Sequence, residues 1–264
     1  MNFPRILKKR KGYIDRIKPF MQKSVVKVLT GQRRVGKSFL LYQLIEEILA
    51  KEPDANIIYV NLEDFTFSSL QTAEDLHSYI ISHSKEKAKN YIFIDEIQDI
   101  PGFEKVIRSL LLNEDNDIYI TGSNAKMLSG ELATYLSGRY IEFKIYSLSY
   151  SEFLEFHGLT ESETSYELYS RYGGLPYLLN LPLEDETVNE YLKSVYSTIV
   201  FRDVVSRYKL RNTLFLEKLI QFLSENIGNL FSAKNISDYL KSQHTTISAV
   251  SYTHLRAHET AANL

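Results

Sequence analysis

The chain has 264 residues, of which 44% are hydrophobic and 24% are charged, a composition typical of a globular protein with one large or two ordinary domains. The formal net charge of −2 provides no global basic field for nucleic acid, and the absence of cysteine excludes disulfides, thiolate metal ligands and a cysteine nucleophile. No apolar run approaches the ~18 residues of a membrane helix, and the basic N-terminus lacks the apolar segment of a signal peptide. We therefore expect a soluble, cytoplasmic protein.

Predicted strands and helices alternate in the first half of the chain. Apolar runs that end in glycine or polar residues predict strands at residues 24–31, 56–64, 91–96, 117–124 and 139–148. Apolar residues at three- and four-residue spacing predict helices at residues 37–50, 73–82 and 103–113. Because the strands are continuous apolar runs, we expect an α/β fold with a mainly parallel sheet and helices on both faces. Such sheets bind ligands at the carboxyl ends of their strands.

The segment between the first predicted strand and helix reads GQRRVGKS and satisfies the phosphate-binding pattern G-x-x-x-x-G-K-[ST]. Its glycines let backbone N–H groups surround a phosphate, Lys37 supplies a positive charge, and Ser38 offers an oxygen ligand to Mg²⁺. This mechanism does not require Arg33 and Arg34, which face phosphate, a partner or solvent. The predicted nucleotide-binding residues are Gly31, Gln32, Arg33, Arg34, Val35, Gly36, Lys37, Ser38 and Phe39.

Two acids, Asp95 and Glu96, finish the predicted strand YIFIDE. An aspartate at this place typically contacts Mg²⁺ directly or through water, and the following glutamate lies beside the γ-phosphate, where it can polarise an attacking water. The alternative is that both acids cap a strand at the surface. We predict Ser38 and Asp95 as metal ligands and Glu96 as the catalytic base.

Three further catalytic candidates have weaker patterns. Ser123 or Asn124 follows the next strand and could orient the attacking water, although a plain turn explains the same residues. Arg139 could stabilise charge on the transferred phosphoryl group, or it could be an ordinary surface arginine.

Together these motifs resemble those of a prokaryotic family of AAA-type P-loop ATPases. The matching segments are GQRRVGKS (31–38), IFIDEIQ (92–98), TGSN (121–124), Gly138-Arg139 with YSLSYSEF (146–153), YGGLP (172–176) and FRDVVSRY (201–208). The resemblance implies ATP and Mg²⁺ as ligands and a five-stranded parallel sheet in which a further strand separates the two that carry the phosphate loop and the acids. It also implies a helical lid and a winged helix, and full-length members carry a nuclease-like domain beyond the point where this chain stops.

We therefore predict an ATPase core at residues 1–148, a helical lid and linker at 149–208, and a partial winged helix at 209–250. Residues 231–250 are compatible with a helix–turn–helix, although any helical hairpin would give the same pattern. Residues 251–264 break the apolar pattern and are interpreted as a non-native tail, so the second recognition helix and the wing are not expected to be complete.

Three functions remain open at this point. The first is Mg²⁺-dependent ATP hydrolysis that drives a conformational change, and the second is a nucleotide-gated binding module with little turnover. The third is a DNA-associated regulator, against which the near-neutral charge weighs. The basic cluster Arg5, Lys8, Lys9, Arg10 and Lys11 could form a local patch or simply be solvated. We expect ATP as a ligand, a protein partner or DNA through the C-terminal region, no membrane, and an oligomer if Arg139 acts in trans.

Overall fold

The computed structural model describes residues 8–122, 136, 138–200, 205, 213–230 and 232–240. The chain divides into two compact units, Met1–Tyr191 and Leu192–Leu264. The first unit contains the predicted core and most of the predicted lid, and the finer domain boundaries stay predictions. Within the described ranges, no helix combines the length and the apolar character needed to cross a bilayer.

Five parallel strands form the sheet of the first unit, in the order β2-β3-β4-β1-β5. Their bounds are β1 Val26–Thr30, β2 Asn56–Asn61, β3 Asn90–Asp95, β4 Asn116–Gly122 and β5 Tyr140–Lys144. The predicted α/β fold is therefore confirmed. The insertion of β4 between β1 and β3, which the family resemblance implies, is also present.

Helices cover both faces of this sheet. The helices of the first unit are α1 Lys11–Ile17, α2 Lys37–Leu49, α3 Ala73–His83, α4 Phe103–Leu110, α5 Tyr150–His157, α6 Glu163–Tyr172 and α7 Asp185–Thr198, the last of which continues into the second unit. One apolar cluster packs α3 and α4 against the sheet, and another packs α1 and α2 against it. Successive strand side chains point to opposite faces, so Val28 joins the first cluster and Leu29 joins the second.

Several local features differ from the prediction, among them strand β5, which ends at Lys144 rather than near residue 148. Helix α1, which the sequence analysis did not predict, is held by its buried residues Ile14 and Ile17. Strand β2 ends at Asn61 rather than near residue 64, because the Asp64 carboxylate accepts a hydrogen bond from the Thr66 N–H and caps a 3₁₀ helix.

The second unit contains α8 Thr213–Glu225 and α9 Ala233–Leu240, which share an apolar cluster of Leu219, Phe222 and Ile236. Helix α9 is the first helix of the predicted helix–turn–helix. Its second helix, the wing and the predicted tail at 251–264 lie outside the described residues.

Candidate nucleotide-binding site

The register of the sheet brings the predicted site residues to one end of it. Thr30 of β1 is level with Gly122 of β4, and Asn61 of β2 is level with Asp95 of β3. The phosphate loop and the paired acids therefore lie at the same end. We call this end, formed by the last residues of the strands, the carboxyl edge, and the opposite end the amino edge.

The loop backbone requires glycine at its first position. Gly31 has a φ of 149°, and a Cβ there would lie 2.2 Å from the carbonyl oxygen of Ile145. The loop turns through left-handed conformations at Arg34 (φ 66°) and Gly36 (φ 93°), and Gly36 is the N-cap of α2. The first N–H groups of α2 are consequently directed at the loop, as anion binding requires.

Lys37 is the first residue of α2 and only 4% exposed. Its Nζ donates to the carbonyl oxygens of Gly31 (3.2 Å) and Gln32 (3.1 Å), and it lies 3.7 Å from Glu96 Oε1. Burial lowers the pKa of Lys37, while the carboxylates of Glu96 and Asp95 oppose this shift. The ammonium group is therefore held inside the loop, beside the two acids.

Asp95 ends β3 and is 1% exposed. Its carboxylate accepts hydrogen bonds from the hydroxyls of Ser38 and Thr121. Burial raises the pKa of Asp95, and these hydrogen bonds together with Lys37 oppose the shift. The two predicted Mg²⁺ ligands, Ser38 and Asp95, are thus in direct contact. This oxygen pair suits a cation that takes its remaining ligands from phosphates and water.

No group of three or more His, Asp or Glu side chains in the described ranges is arranged to hold a metal by itself. The Ser38–Asp95 pair supplies two of the oxygen ligands that Mg²⁺ prefers.

Glu96 follows in a left-handed conformation with a φ of 55°. This conformation is uncommon for a residue with a side chain. The Glu96 N–H donates to Thr121 Oγ1 at 3.0 Å, and the Glu96 Oε2 accepts a hydrogen bond from Gln98 Nε2 at 2.5 Å. Thr121 of β4 therefore holds the backbone of Glu96 in this conformation, and Gln98 orients the Glu96 carboxylate. Its distance of 3.7 Å from Lys37 places it beside the position of a phosphate bound by that lysine.

The remaining predicted loop residues have different surroundings. Arg33 pairs with Glu63 at 3.2 Å, and the exposed Arg34 guanidinium lies 5.5 Å from the centroid of the Tyr191 ring. Val35 is buried in the core. Gln32 and Phe39 are exposed, and Phe39 packs edge-to-face on Tyr42.

Residues 145–148 connect the sheet to α5 and run between the loop and the YGGLP element. The Leu148 N–H donates to the Gly174 carbonyl at 2.7 Å, and a Cβ on Gly174 would lie 2.2 Å from the Leu148 oxygen. Pro176 lies 3.7 Å from where a Gly36 Cβ would be. The motifs 146–153 and 172–176 therefore meet beside the phosphate loop.

Of the three remaining predicted catalytic residues, only Arg139 is among the residues that the structure describes. Ser123 and Asn124 lie outside the described residues. Arg139 is exposed and directly precedes β5, and its carbonyl accepts a hydrogen bond from the N–H of Val26, the first residue of β1. Arg139 is consequently at the amino edge, at the opposite end of the strands from the phosphate loop of its own chain.

The sequence analysis missed three residues near the loop. Thr121 bonds both Asp95 and the Glu96 backbone, and Gln98 bonds the Glu96 carboxylate; both stood inside quoted motifs without an assigned role. The third is Arg10, which was grouped with a solvated or patch-forming basic cluster. That interpretation is wrong for Arg10, which is 4% exposed and fully engaged by the protein. No sequence signal separates it from the neighbouring basic residues.

A parallel sheet with a glycine loop, a buried lysine and paired acids at its carboxyl edge defines a P-loop nucleotide-binding protein. The family model described as "AAA domain" matches residues 23–154, half of the chain. The chain belongs to this family and is an AAA-type nucleotide-binding protein. A second model, described as a domain of unknown function, matches residues 163–252.

Relatives of the chain are uncharacterized proteins. One from Haemophilus influenzae is 38% identical over 90% of this chain and 61% of its own length. One from Methanocaldococcus jannaschii is 33% identical over 84% of this chain and 52% of its own length. The chain therefore spans only about half to three fifths of these relatives.

Solved structures also align with the chain at low sequence identity. The Aeropyrum pernix ORC1 protein in complex with DNA gives a TM-score of 0.48 and 13% identity, covering 94% of this chain and 83% of that chain. Domain III of the Thermotoga maritima replication initiation protein DnaA gives a TM-score of 0.45 and 13% identity, covering 75% and 89%.

Proposed function

We propose that the chain binds ATP with Mg²⁺ at the carboxyl edge and hydrolyses it, and that hydrolysis changes its conformation. The observation that carries this proposal is the meeting of Lys37, the Ser38–Asp95 pair and Glu96 around one glycine loop. Each group has the chemistry that phosphoryl transfer to water requires: a cation for the phosphates, oxygen ligands for the metal, and a carboxylate for the water.

These residues have separate roles in the attack of water on the γ-phosphate. The loop N–H groups and Lys37 bind the β- and γ-phosphates, and Ser38 and Asp95 would hold Mg²⁺, whose positive charge would offset that of the phosphate oxygens. A water oxygen attacks the γ-phosphorus while its proton passes to Glu96. The bond from the γ-phosphorus to the bridging oxygen breaks, ADP leaves, and Glu96 returns the proton to solvent. We propose Ser123 or Asn124 as a further group that orients this water.

Arg139 directly precedes β5, at the opposite end of the strands from the phosphate loop of its own chain, and this position favours a contribution from another copy of the chain. We propose that any role of Arg139 in stabilising the transferred phosphoryl group is in trans, in an oligomer.

The test compares Lys37→Ala, Asp95→Asn and Glu96→Gln with the wild type, using calorimetric MgATP affinity and phosphate release on the same preparations. Lys37→Ala should weaken affinity more than ~10-fold, which corresponds to ~1.4 kcal/mol. Glu96→Gln should keep affinity within a few-fold and lower hydrolysis at least ~100-fold, since general bases contribute ~10²–10⁴-fold. Asp95→Asn should both weaken MgATP affinity and lower hydrolysis. Unchanged affinity in Lys37→Ala would refute the assignment of the loop.

A second candidate is a nucleotide-gated binding module with little turnover. The 2.5 Å hydrogen bond from Gln98 to Glu96 favours it, because the carboxylate is already engaged by a protein donor. Full turnover in Glu96→Gln, or none in the wild type under any condition, would place this candidate first. Its partner, a protein or DNA bound through the C-terminal region, would be sought by capture with the Glu96→Gln chain in the presence and absence of ATP.

A further inference from the structure

Arg10 is a buried arginine whose five N–H donors all have acceptors. Nε and one Nη2 hydrogen donate to the two carboxylate oxygens of Glu152, both at 2.8 Å. The Nη1 hydrogens donate to the carbonyls of Val35 (3.2 Å) and Tyr146 (2.8 Å), and the second Nη2 hydrogen donates to the carbonyl of Ser147 (3.3 Å). A guanidinium is the side chain that can supply this planar set, since a lysine has only three donors at one point.

These acceptors come from three separate parts of the first unit. Val35 is in the phosphate loop, Tyr146 and Ser147 are in the connection that follows β5, and Glu152 is in the first turn of α5. Glu152 also accepts from the Ser149 N–H at 3.0 Å and thereby caps α5. One guanidinium therefore joins the phosphate loop to the first helix of the predicted lid.

The contact with Val35 bears directly on phosphate binding. A trans peptide is planar, so the Val35 carbonyl and the Gly36 N–H point in opposite directions. When Arg10 holds this carbonyl on the outside of the loop, the Gly36 N–H is turned towards the inside, where a phosphate is bound.

Arg10 is itself fixed in place by α2. Its backbone N–H donates to Gln43 Oε1 at 2.9 Å, and Gln43 Nε2 donates to the Lys8 carbonyl at 2.9 Å. The guanidinium also lies 4.4 Å from the centroid of the Tyr13 ring. The helix that begins at the phosphate loop thus also holds the residue that orients the loop.

An arginine that only anchored α5 would not need a hydrogen-bond acceptor in the phosphate loop. The carboxylate of Glu152 and the carbonyls of Tyr146 and Ser147, which adjoin α5, would provide its acceptors. The remaining donor instead reaches the Val35 carbonyl in the phosphate loop. A buried N–H group needs an acceptor, and the one this donor reaches belongs to the phosphate loop, so the guanidinium contacts the loop and the surroundings of α5 at once.

We propose that Arg10 is a positioning residue for the nucleotide, which orients the peptide between Val35 and Gly36 and couples it to α5 through Glu152. The inference rests on the proposed function, because it assumes that the loop binds nucleotide phosphate. Movement of α5 then changes the phosphate affinity of the loop, and phosphate binding in turn restricts α5.

The experiment measures MgATP and MgADP affinity by calorimetry for the full chain carrying Arg10→Lys, Arg10→Ala, Glu152→Gln or Arg10→Ala with Glu152→Gln. Circular dichroism first establishes that each variant is folded at the temperature used. Arg10→Lys keeps the charge and removes the planar set of donors, and Glu152→Gln alters α5 without changing a loop residue. We expect Arg10→Ala and Arg10→Lys to weaken the affinity for both nucleotides at least ~5-fold. Glu152→Gln should weaken it less, ~2–5-fold, which is at or below the lower end of the ~5–150-fold typical of coupling between sites.

Two controls separate positioning from general stability. Arg171→Ala removes another arginine–carboxylate pair, the exposed one with Asp185, and Lys27→Met removes a buried charge far from the loop. Both should leave affinity within twofold, although Lys27→Met lowers stability. If Arg10→Ala does not fold, Arg10→Lys and Glu152→Gln still test the coupling.

The double variant should bind no more weakly than Arg10→Ala alone, because both changes interrupt one connection. Unchanged affinity in Arg10→Lys and Glu152→Gln, with Lys37→Ala still defective, would overturn this inference and leave the proposed function standing. A wild-type chain that binds neither nucleotide would overturn the proposed function, and the inference with it.

Discussion

The two edges of the sheet each bury a lysine beside a carboxylate, yet their surroundings differ. At the amino edge, Lys27 and Asp117 form an ion pair in which both side chains are 0% exposed. Lys27 also donates to the Val25 carbonyl at 2.9 Å, and Asp117 accepts from the Gln22 N–H and the Tyr119 hydroxyl, both at 2.8 Å. The charges at this edge are matched by groups of the protein itself.

At the carboxyl edge, the positive charge of Lys37 is compensated less closely by groups of the protein. Lys37 donates to carbonyls of its own loop at 3.1 and 3.2 Å, and the Glu96 carboxylate lies 3.7 Å away. The loop adds backbone N–H groups at the start of α2, which favour an anion. Burial of a charge therefore does not by itself indicate a functional site. Lys37 differs from Lys27 in its longer distance to a carboxylate and in the backbone N–H groups at the start of α2 beside it.

The largest expected effect on stability is that of Lys27→Met. Removing one partner of a buried ion pair leaves the other charge uncompensated, which typically costs ~3–5 kcal/mol. We expect the free energy of unfolding to fall by about this amount. Nucleotide affinity should not change. Urea unfolding followed by circular dichroism, with calorimetry on the folded chain, measures both quantities.

A loss of affinity in Lys27→Met, at a temperature where it is folded, would show that the two edges are not independent. A loss of stability well below ~1 kcal/mol would show that the amino-edge pair is not a structural element.

The same substitution at the carboxyl edge, Lys37→Met, should cost less stability. The ammonium group donates to two loop carbonyls and lies 3.7 Å from the Glu96 carboxylate, a looser pairing than that of Lys27 with Asp117, so we expect a loss of about 1–3 kcal/mol. Affinity for MgATP should fall more than ~10-fold. Because Lys27→Met and Lys37→Met remove the same group, the pair of variants compares the two edges directly. Equal losses of stability would contradict the comparison.

The amino edge should also show a pH dependence through Tyr91, whose hydroxyl donates to Glu52 at 2.8 Å. Burial and this hydrogen bond raise the pKa of Tyr91 to about 12. Because the folded pKa is raised, the stabilisation is complete below the unfolded pKa of ~10 and is lost as the pH rises towards the folded value. The difference in unfolding free energy between wild type and Tyr91→Phe should therefore shrink across this window.

Taking a difference removes the titration of other groups, such as Lys27, that both chains share. Replacement of the exposed Tyr166 by Phe provides the matched control. A difference that stays constant with pH would mean that the ionisation of Tyr91 is not linked to folding.

The smallest expected effect is that of Arg139→Ala on nucleotide affinity. Arg139 lies at the amino edge of its own chain, so we expect affinity to stay within twofold. If it acts in trans, phosphate release should fall in the variant only at protein concentrations where the wild type forms oligomers. A loss of affinity in the isolated chain would contradict the separation of the two edges.

The sequence by itself determined the sheet class, the loop and the acids. Residues 31–38 form one continuous strand–loop–helix segment, and Asp95 and Glu96 directly follow a buried apolar run, so local pattern was sufficient to place them. The ends of elements were less well predicted, as at β2, because a side-chain cap rather than apolar periodicity ended the strand.

Only the tertiary structure decided which polar residues act together. Thr121 reaches Asp95 and Glu96 because β4 lies beside β3, and Arg10 reaches Val35 and Glu152 because the N-terminal segment packs between α2 and α5. In the sequence, Arg10 is one basic residue among several and Arg139 adjoins a family motif, yet the first is buried at the loop and the second is exposed at the opposite edge. The physical reason is that these contacts join residues far apart in the chain, whose meeting depends on strand order and packing rather than on local periodicity.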